Sequence, residues 1–185
     1  GGVYDKYRNR LMLPVIDVRG DVIGFTSRVM DDSTPKYLNT PETAIFKKRS
    51  ILYGLNYAKN TRRPNFILVE GNIDVITLHQ AGFDNTVATM GTALTEDHVR
   101  MLERYTKELV LCYDNDAAGE DATQRSIALL KNSEVAVKVL RLPNKRLPDG
   151  TQGKQDADDY IKRFGPGAFQ SLMDQSANSA EYRLS

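Results

Sequence analysis

Two apolar runs that each end in carboxylates constrain the fold of this chain more than any other feature. Residues 65–69 are followed by Glu70, and residues 108–113 are followed by Asp114 and Asp116. Continuous apolar runs of this length are typical of strands that are buried on both faces of a parallel sheet. The chain is therefore predicted to contain an α/β sheet with acidic residues at its strand ends.

The segments between these runs have helical patterns. Residues 74–81 and 95–105 are each predicted to be a helix, and a short apolar run at 86–89 separates them. In a β-α-β-α-β order, right-handed crossovers bring the carboxyl ends of parallel strands to one edge of the sheet. We therefore expect Glu70, Asp114 and Asp116 to converge there.

Three carboxylates in a small volume repel one another unless a cation neutralises them. A hard divalent ion with oxygen ligands is the natural candidate, and Mg2+ typically uses one or two carboxylates together with waters or phosphates. Asp116 is also well placed to cap the helix predicted after it, so a capping role stays open beside ligation. Gly71 directly follows Glu70, which favours close approach of a ligand to the backbone there.

Length and composition limit the class of protein. At 185 residues and 41% hydrophobic, the chain can bury one sizeable core and a smaller appendage. It has no apolar run long enough to span a membrane, so no membrane partner and a cytoplasmic location are expected. A lone Cys112 inside an apolar strand is predicted to be a buried hydrophobe, so we expect neither a disulfide nor a zinc site.

The charges are distributed unevenly along the chain. Residues 1–63 carry 12 Lys/Arg and 6 Asp/Glu, whereas residues 64–185 carry 13 and 18. A basic segment beside an acidic one suits a protein that holds a polyanion and performs phosphate chemistry. Charged surfaces are also commonly just solvated, so the asymmetry alone does not decide the function.

The basic segment has its own architecture. Residues 11–18 and 22–29 flank a turn and predict a β-hairpin, which implies a second structural unit. Thr40, Pro41 and Glu42 predict the start of a short helix, because they supply an N-cap, a first-turn proline and a dipole-favoured acid.

Several motifs occur in an order that resembles bacterial DnaG-type primases. In the basic segment these are Arg28, residues 35–43, Ile45-Phe46 and residues 52–55; downstream they are Val69-Glu70-Gly71 through Asp74-Val75, residues 78–82, residues 91–95 and residues 114–119. The first group resembles that family's template-binding subdomain, and the second resembles its Toprim domain. The likeness extends from about residue 11 to residue 164.

The resemblance implies a fold and a domain order. The fold is a Toprim-type parallel sheet flanked by helices, preceded by part of a smaller α+β subdomain with an antiparallel hairpin and followed by the start of a helical segment. Residues 1–63 would belong to the template-binding subdomain and residues 64–143 to the Toprim domain. Residues 144–185 would contain a flexible loop at 145–153, the last acidic motif and the start of a helical subdomain.

The resemblance also implies roles for individual residues. Catalytic positions would be Glu70, Asp114 and Asp116, and the metal ligands would be Glu70, Asp74, Asp114, Asp116, Asp156 and Asp158. Template or nucleotide would contact Arg28, Lys36 and Lys48. Asp156 also fits a helix N-cap, since a helical pattern runs to Phe164. Two positions depart from the family pattern: Asn115 stands where glycine is common, although asparagine tolerates the left-handed backbone expected there, and Asn72 replaces the usual tyrosine.

The implied activity is synthesis of RNA primers on single-stranded DNA during replication, by nucleotidyl transfer dependent on Mg2+ or Mn2+. Partners would be the DNA template, ribonucleoside triphosphates and, through regions outside this chain, the replicative helicase and the single-strand binding protein.

The same acidic residues would also serve other functions. A Toprim nuclease or topoisomerase would use them to cut DNA. A non-catalytic DNA-binding module would use them only to cap helices. A domain that binds a small phosphorylated ligand is disfavoured, because the chain has no Gly-rich phosphate loop. We expect His79 and His98 to be structural, because neither has a serine or cysteine partner at a meaningful spacing.

Overall fold

A computed structural model of the chain describes residues 2, 5–31 and 33–178. The chain divides into two compact units, Gly1–Lys47 and Lys48–Ser185. Residues 179–185 of the predicted C-terminal segment lie outside the described part. No helix within that part is both long and apolar enough to cross a membrane.

The first unit is an antiparallel sheet in the order β1 (Arg10–Ile16), β2 (Val22–Val29), β3 (Tyr37–Asn39). The β1–β2 hairpin predicted from the sequence is confirmed. Its turn is stabilised by the carboxylate of Asp17, which accepts hydrogen bonds from three backbone N–H groups of the turn. Phe46 is fully buried in this unit.

The short helix predicted from Thr40 onward is wrong, because residues 41–47 contain no helix. Thr40 instead pairs with β2. Its Oγ1 accepts a hydrogen bond from the backbone N–H of Phe25 at 2.8 Å, and its own N–H donates to the Phe25 carbonyl at 2.8 Å. Sheet pairing thus uses the hydroxyl and amide that a helix cap would have needed. A single 3-10 turn follows at Lys48–Ser50.

The second unit contains most of the regular structure. Its elements in chain order are α1 (Leu55–Ala58), β4 (Phe66–Val69), α2 (Asn72–Gln80), β5 (Thr86–Ala88), α3 (Glu96–Glu103), β6 (Glu108–Leu111), α4 (Ala117–Leu130), β7 (Ala136–Val139), β8 (Lys145–Arg146), β9 (Gln152–Gly153), α5 (Ala157–Asp174) and β10 (Ala177–Asn178). The main sheet has the order β10-β7-β6-β4-β5, with β7, β6, β4 and β5 parallel. The predicted α/β fold is confirmed.

Burial explains why these strands are central. Every residue of β4 is buried, as are three of the four in β6, which matches strands covered on both faces. Helices α2 and α5 pack together over one face. Phe83 and Phe169 meet there edge to face, with ring centroids 4.9 Å apart. The lone Cys112 lies in the same core and is 3% exposed.

Two details of the last segment differ from a simple loop followed by a helix. Residues 145–153, predicted to be a flexible loop, form a small hairpin in which β8 pairs with β9. Helix α5 continues past Phe164, with a kink at Gly165, whose φ of 78° lies in the left-handed region. Glycine adopts that region at little steric cost, so the chain can turn there before Pro166 restarts the helix.

Candidate active site

Glu70 and Asp114 come together because β4 and β6 are adjacent parallel strands. The backbone N–H of Cys112 donates to the Leu68 carbonyl at 2.9 Å, which extends the pairing beyond β6. Two residues later, the backbone N–H of Asp114 donates to Oε1 of Glu70 at 3.2 Å. Glu70 and Asp114 thus lie close together where both strands end, but among the described residues the carboxylates of Glu70, Asp114 and Asp116 do not form a group whose oxygens all lie within 4.8 Å of one another.

Asp116 begins α4. Its Oδ1 accepts a hydrogen bond from the backbone N–H of Gly119 at 2.9 Å, so the predicted capping role is present. This N–H group holds the pKa of the Asp116 carboxyl below its usual range, with a further contribution from Lys154. The cap uses one carboxylate oxygen, and Oδ2 points to Lys154. Capping and ligation are therefore compatible at this residue.

A second acidic group lies where α2 meets the start of α5. Oδ1 of Asp74, on α2, accepts a hydrogen bond from the backbone N–H of Asp158 at 2.9 Å. Asp156 caps α5 by accepting from the N–H of Asp159 at 2.8 Å. Carboxylate oxygens of Asp156, Asp158 and Asp159 lie within 4.8 Å of one another. Asp159 is thus a member of the group to which the sequence motifs gave no role.

Burial and mutual repulsion make several of these carboxyls hard to ionise. Asp74 is 7% exposed, and loss of solvent raises its pKa to about 7 in spite of the hydrogen bond from Asp158. Burial and the charges of neighbouring aspartates also raise the pKa of Asp156. The pKa of Glu70 is raised first by partial loss of solvent and next by the charge of Asp114. The charge of Asp114 acts on Asp74 and Asp156 as well, so the two acidic groups interact.

Lys154 is a site residue that the sequence motifs did not indicate. Its Nζ lies 2.9 Å from Oδ2 of Asp114 and 3.4 Å from Oδ2 of Asp116. The side chain follows β9 and reaches the strand-end carboxylates across 40 positions of sequence. Its place directly before the last acidic motif was the available signal, but spacing along the chain does not reveal which carboxylate it meets.

These residues fit a divalent cation. The carboxyls of Glu70, Asp74 and Asp156 have raised pKa values, so a cation brought close would stabilise their ionised forms. Lys154 supplies positive charge at Asp114 and Asp116. The donors are all hard oxygen atoms, which suit a divalent cation. Cys112 is buried, and burial raises the pKa of its thiol, so it offers no thiolate ligand.

Gly71 has a different local role from the one expected. A Cβ placed on it would lie 2.6 Å from Oδ2 of Asp74. The missing side chain therefore makes room for a buried carboxylate of α2, not only for a ligand. Asn72, the departure from the family pattern, is the first residue of α2 and is 7% exposed.

The basic residues expected to contact DNA fall in both units. Arg28 lies on β2, directly across from Tyr37 of β3, and its buried Nε has no hydrogen-bond partner among the described residues. Lys36 precedes β3, with its Nζ 6.0 Å from the centroid of the Tyr37 ring. Those two share one small sheet. Lys48 begins the 3-10 turn of the second unit, where its carbonyl contacts Nε2 of His98 at 2.9 Å.

Tyr113 and the histidines have structural roles. The hydroxyl of Tyr113 pairs with Oγ of Ser126 at 3.0 Å, and burial raises its pKa to about 12. A buried phenol with that pKa is a poor nucleophile, which weighs against topoisomerase chemistry. His98 is fully buried and completes a capping box with Thr95 at the start of α3. Nε2 of His79 lies 2.8 Å from the Thr86 carbonyl.

A cavity of about 540 Å³ opens beside Glu70. Its walls are the 89–94 segment and one side of α4, with Arg125 contributing a cation and Leu129 an apolar wall. A volume of this size accommodates a small organic ligand. Glu70 therefore adjoins space large enough for a nucleotide-sized molecule.

Comparison with known proteins identifies the family. Residues 67–161 match the family described as Toprim-like, and residues 1–59 match the N-terminal domain of the DNA primase catalytic core. The chain is 45% identical over 183 residues to the DNA primase of Clostridium acetobutylicum, covering 98% of this chain and 29% of that protein. It is 43% identical over 178 residues to that of Escherichia coli K12, covering 95% and 30%.

Solved structures agree. A DnaG primase catalytic domain bound to single-stranded DNA superposes with a TM-score of 0.83 at 39% identity, covering 95% of this chain and 54% of that one. The zinc-binding and RNA polymerase domains of Aquifex aeolicus primase give 0.85 at 36% identity, covering 97% and 43%. The chain thus spans about three-tenths of the curated relatives it matches. The resemblance inferred from the motifs is confirmed: the chain belongs to the Toprim-like family, as part of the catalytic core of DnaG-type DNA primases.

Proposed function

We propose that this chain supplies the metal-dependent catalytic part of a DNA primase, which synthesises short RNA primers on single-stranded DNA during replication. The observation that carries the proposal is the meeting of Glu70 and Asp114 at the ends of adjacent strands, next to the acidic group at the start of α5. In a chain of the primase family, such a cluster suits metal-assisted phosphoryl chemistry.

Two sets of carboxylates would hold the ions, which we propose to be Mg2+ or Mn2+. The first set is Glu70, Asp114 and Asp116, and the second is Asp74, Asp156 and Asp158. Such ions, when bound, favour ionisation of a primer 3′-hydroxyl and neutralise the phosphates of the incoming ribonucleotide. The carboxylates serve as ligands and not as general bases, and Asp116 and Asp156 can do so through the oxygens that do not cap a helix.

The remaining residues would bind and orient substrates. The cavity beside Glu70 gives room for a nucleotide, and Arg125 on its wall offers a cation to a phosphate. Arg28, Lys36 and Lys48 are the proposed contacts with template or nucleotide phosphates. We propose that the whole protein works in the cytoplasm as part of the replisome. The replicative helicase and the single-strand binding protein would bind it through segments other than this chain.

Nucleotide binding with and without metal tests this function. We expect ATP or GTP to bind the chain measurably in the presence of Mn2+ and much more weakly in the presence of EDTA. Glu70→Gln should weaken the Mn2+-dependent binding about tenfold or more, since the amide keeps the size but loses the charge. Glu134→Gln is the matched control, because Glu134 is exposed and pairs with Lys107 instead of with the acidic cluster.

A parallel incubation with labelled single-stranded DNA separates primer synthesis from cutting. A nuclease site has no reason to prefer a triphosphate. Strand cleavage that Glu70→Gln abolishes, together with no metal-dependent nucleotide binding, would overturn the primase proposal in favour of a Toprim nuclease.

A further inference from the structure

The ammonium of Lys154 occupies the space between the two carboxylates of the Asp114-Asn115-Asp116 motif. Its contacts of 2.9 Å and 3.4 Å go to the Oδ2 atoms of Asp114 and Asp116, and in Asp116 this is the oxygen that does not cap α4. In Asp116, the cap leaves Oδ2 as the oxygen open to a divalent ion. A metal ion and the lysine ammonium therefore compete for the same ligands.

The segment that carries Lys154 is anchored to the same motif. Nδ2 of Asn115 donates to the Leu142 carbonyl at 3.0 Å and to Oδ1 of Asn144 at 2.9 Å. Asn144 in turn donates to Oε1 of Gln152 at 2.9 Å, which ties it to strand β9 of the small hairpin. The residue between the two aspartates thus holds the hairpin from which Lys154 extends.

We propose that Lys154 is the resident counterion of the metal-free site, that a divalent ion binds by displacing its ammonium, and that Asn115 is the residue that positions it. The proposal rests on the metal site proposed above. Lys154 thereby sets the metal affinity of the site: it relieves repulsion among the carboxylates when no ion is bound, and the entering ion must replace it.

The electrostatics favour exchange over a permanent block. The side chain of Lys154 is 59% exposed, whereas that of Asp114 is 18% exposed. An ion pair with one exposed partner contributes little net stability, so its loss is small. A divalent ion has twice the charge and approaches carboxylate oxygens more closely than an ammonium does. A lysine ammonium is charged at neutral pH even at its ordinary pKa.

Calorimetric titration with Mn2+ alone, without nucleotide, tests the exchange. We expect Lys154→Met to bind Mn2+ about threefold to tenfold more tightly than the parent chain, because no cation has to be displaced. Lys154→Arg keeps the charge and should stay close to the parent. Lys138→Met is the matched control, since Lys138 pairs with Glu108 at 3.0 Å and that glutamate begins β6, at the opposite end from Asp114.

A double-mutant cycle tests the part played by Asn115. Asn115 does not have a positive φ, so alanine is compatible with its backbone. Asn115→Ala should accelerate hydrogen exchange in residues 142–154. It should also raise Mn2+ affinity, as Lys154→Met does. Because both changes act through one ammonium, the double variant should gain no more than Lys154→Met alone.

The outcomes are distinct. Equal or weaker Mn2+ binding by Lys154→Met, with the parent chain binding Mn2+ normally, would overturn the displacement proposal and leave the metal site standing. Additive effects of the two substitutions would remove the positioning role of Asn115. No Mn2+ binding by the parent chain would refute the metal site itself and the displacement together with it.

Discussion

The position of Asp114 depends on the close approach of its backbone to Gly119. A Cβ added to Gly119, in the first turn of α4, would lie 2.0 Å from the carbonyl oxygen of Asp114. Backbone cannot yield as a flexible side chain can, so no larger residue fits. Gly119 therefore allows the start of α4 to pack directly against the residue that reaches Glu70.

Replacing Gly119 should harm both stability and the site. We expect Gly119→Ala to lower the free energy of unfolding by about 2 to 3 kcal/mol, the usual cost of overpacking, and to weaken Mn2+ binding because Asp114 must move. Gly167→Ala is the control: no atom lies within 4 Å of its Cβ position inside α5, and alanine favours helix there. Urea unfolding and Mn2+ titration measure the two effects, and a Gly119→Ala chain with parental stability and affinity would contradict this role.

Asn115 fits its position through its side-chain contacts and not through the backbone conformation that was predicted. The family pattern, with glycine common at this position, predicts a left-handed backbone there, which asparagine tolerates. Among the described residues other than glycine, however, the positive φ belongs to Asn9. Asn115 instead uses its side-chain amide to bind the segment at 142–144. That role depends on tertiary contact and has no local sequence signature.

At the scale of elements, the important connection is between α2 and α5. Asp74 accepts from the N–H of Asp158, and Oγ1 of Thr77 donates to Oδ1 of Asp158 at 2.5 Å. Lys162 pairs with the other oxygen of Asp158 at 2.6 Å. These bonds attach the last acidic motif to the helix that follows Glu70, so the motif joins the site through helix packing.

The pKa of Asp74 predicts how this junction responds to pH. Because its folded pKa of about 7 lies above the ordinary value of 3.8, the folded chain holds a proton that the unfolded chain releases. The stabilisation is complete below about pH 4 and is lost as the pH rises through about 7. It amounts to about 4 kcal/mol as an upper limit.

Asp74→Asn should remove that pH dependence, since the amide stays neutral and keeps an acceptor for the N–H of Asp158. In metal-free buffer we expect it to raise the melting temperature most at pH 8, less at pH 5 and little at pH 4. Asp149→Asn is the control, because Asp149 is exposed and hydrogen bonds from Thr151 lower its pKa. Thermal melts across this pH range measure the effect. A melting temperature of Asp74→Asn that depends on pH as strongly as that of the parent chain would contradict the raised pKa of Asp74.

At the scale of the whole molecule, the basic surplus lies mainly in the segment that begins the second unit: residues 1–47 carry 7 Lys/Arg and 6 Asp/Glu, whereas residues 48–63 carry 5 and none. The first 63 residues carry twice as many basic as acidic residues, whereas the rest is acidic overall. Arg28 and Lys36 lie on the small antiparallel sheet of the first unit, and the carboxylates lie at the edge of the parallel sheet of the second. DNA binding is therefore tested with residues of both units, because Lys48 begins the second, whereas metal binding is tested with the carboxylates of the second unit.

Salt dependence tests the contribution of the basic residues to DNA binding. Arg28→Ala, Lys36→Ala and Lys48→Ala should each weaken binding of single-stranded DNA and reduce the slope of log K against log salt by about 0.7, through the loss of one phosphate contact. Arg19→Ala is the control, because Arg19 pairs with Asp17 and Asp21 in the hairpin turn. Fluorescence anisotropy across a salt series measures this, and variants with the parent's slope and affinity would exclude these contacts.

Local patterns in the sequence were sufficient for the elements from β4 to α4 and for the carboxylates that follow β4 and β6. The buried runs before Glu70 and Asp114 predicted adjacent strands because burial on two faces requires continuous apolar residues. The caps at Asp116 and Asp156 were also foreseeable, since an N-cap is a contact between residues three positions apart. The helix at Thr40 failed because a cap signal there was outweighed by pairing with β2.

The sequence by itself determined the α/β order, the hairpin, the family and the carboxylates at the strand ends, because each depends on short-range periodicity or on motifs in a fixed order. Only the tertiary structure decided that Lys154 lies against Asp114, that Asn115 anchors the hairpin at 145–153 and that Asp74 is buried against α5. These contacts join residues between 29 and 84 positions apart. They depend on the path of loops and on how two helices pack, and hydrophobic periodicity encodes neither.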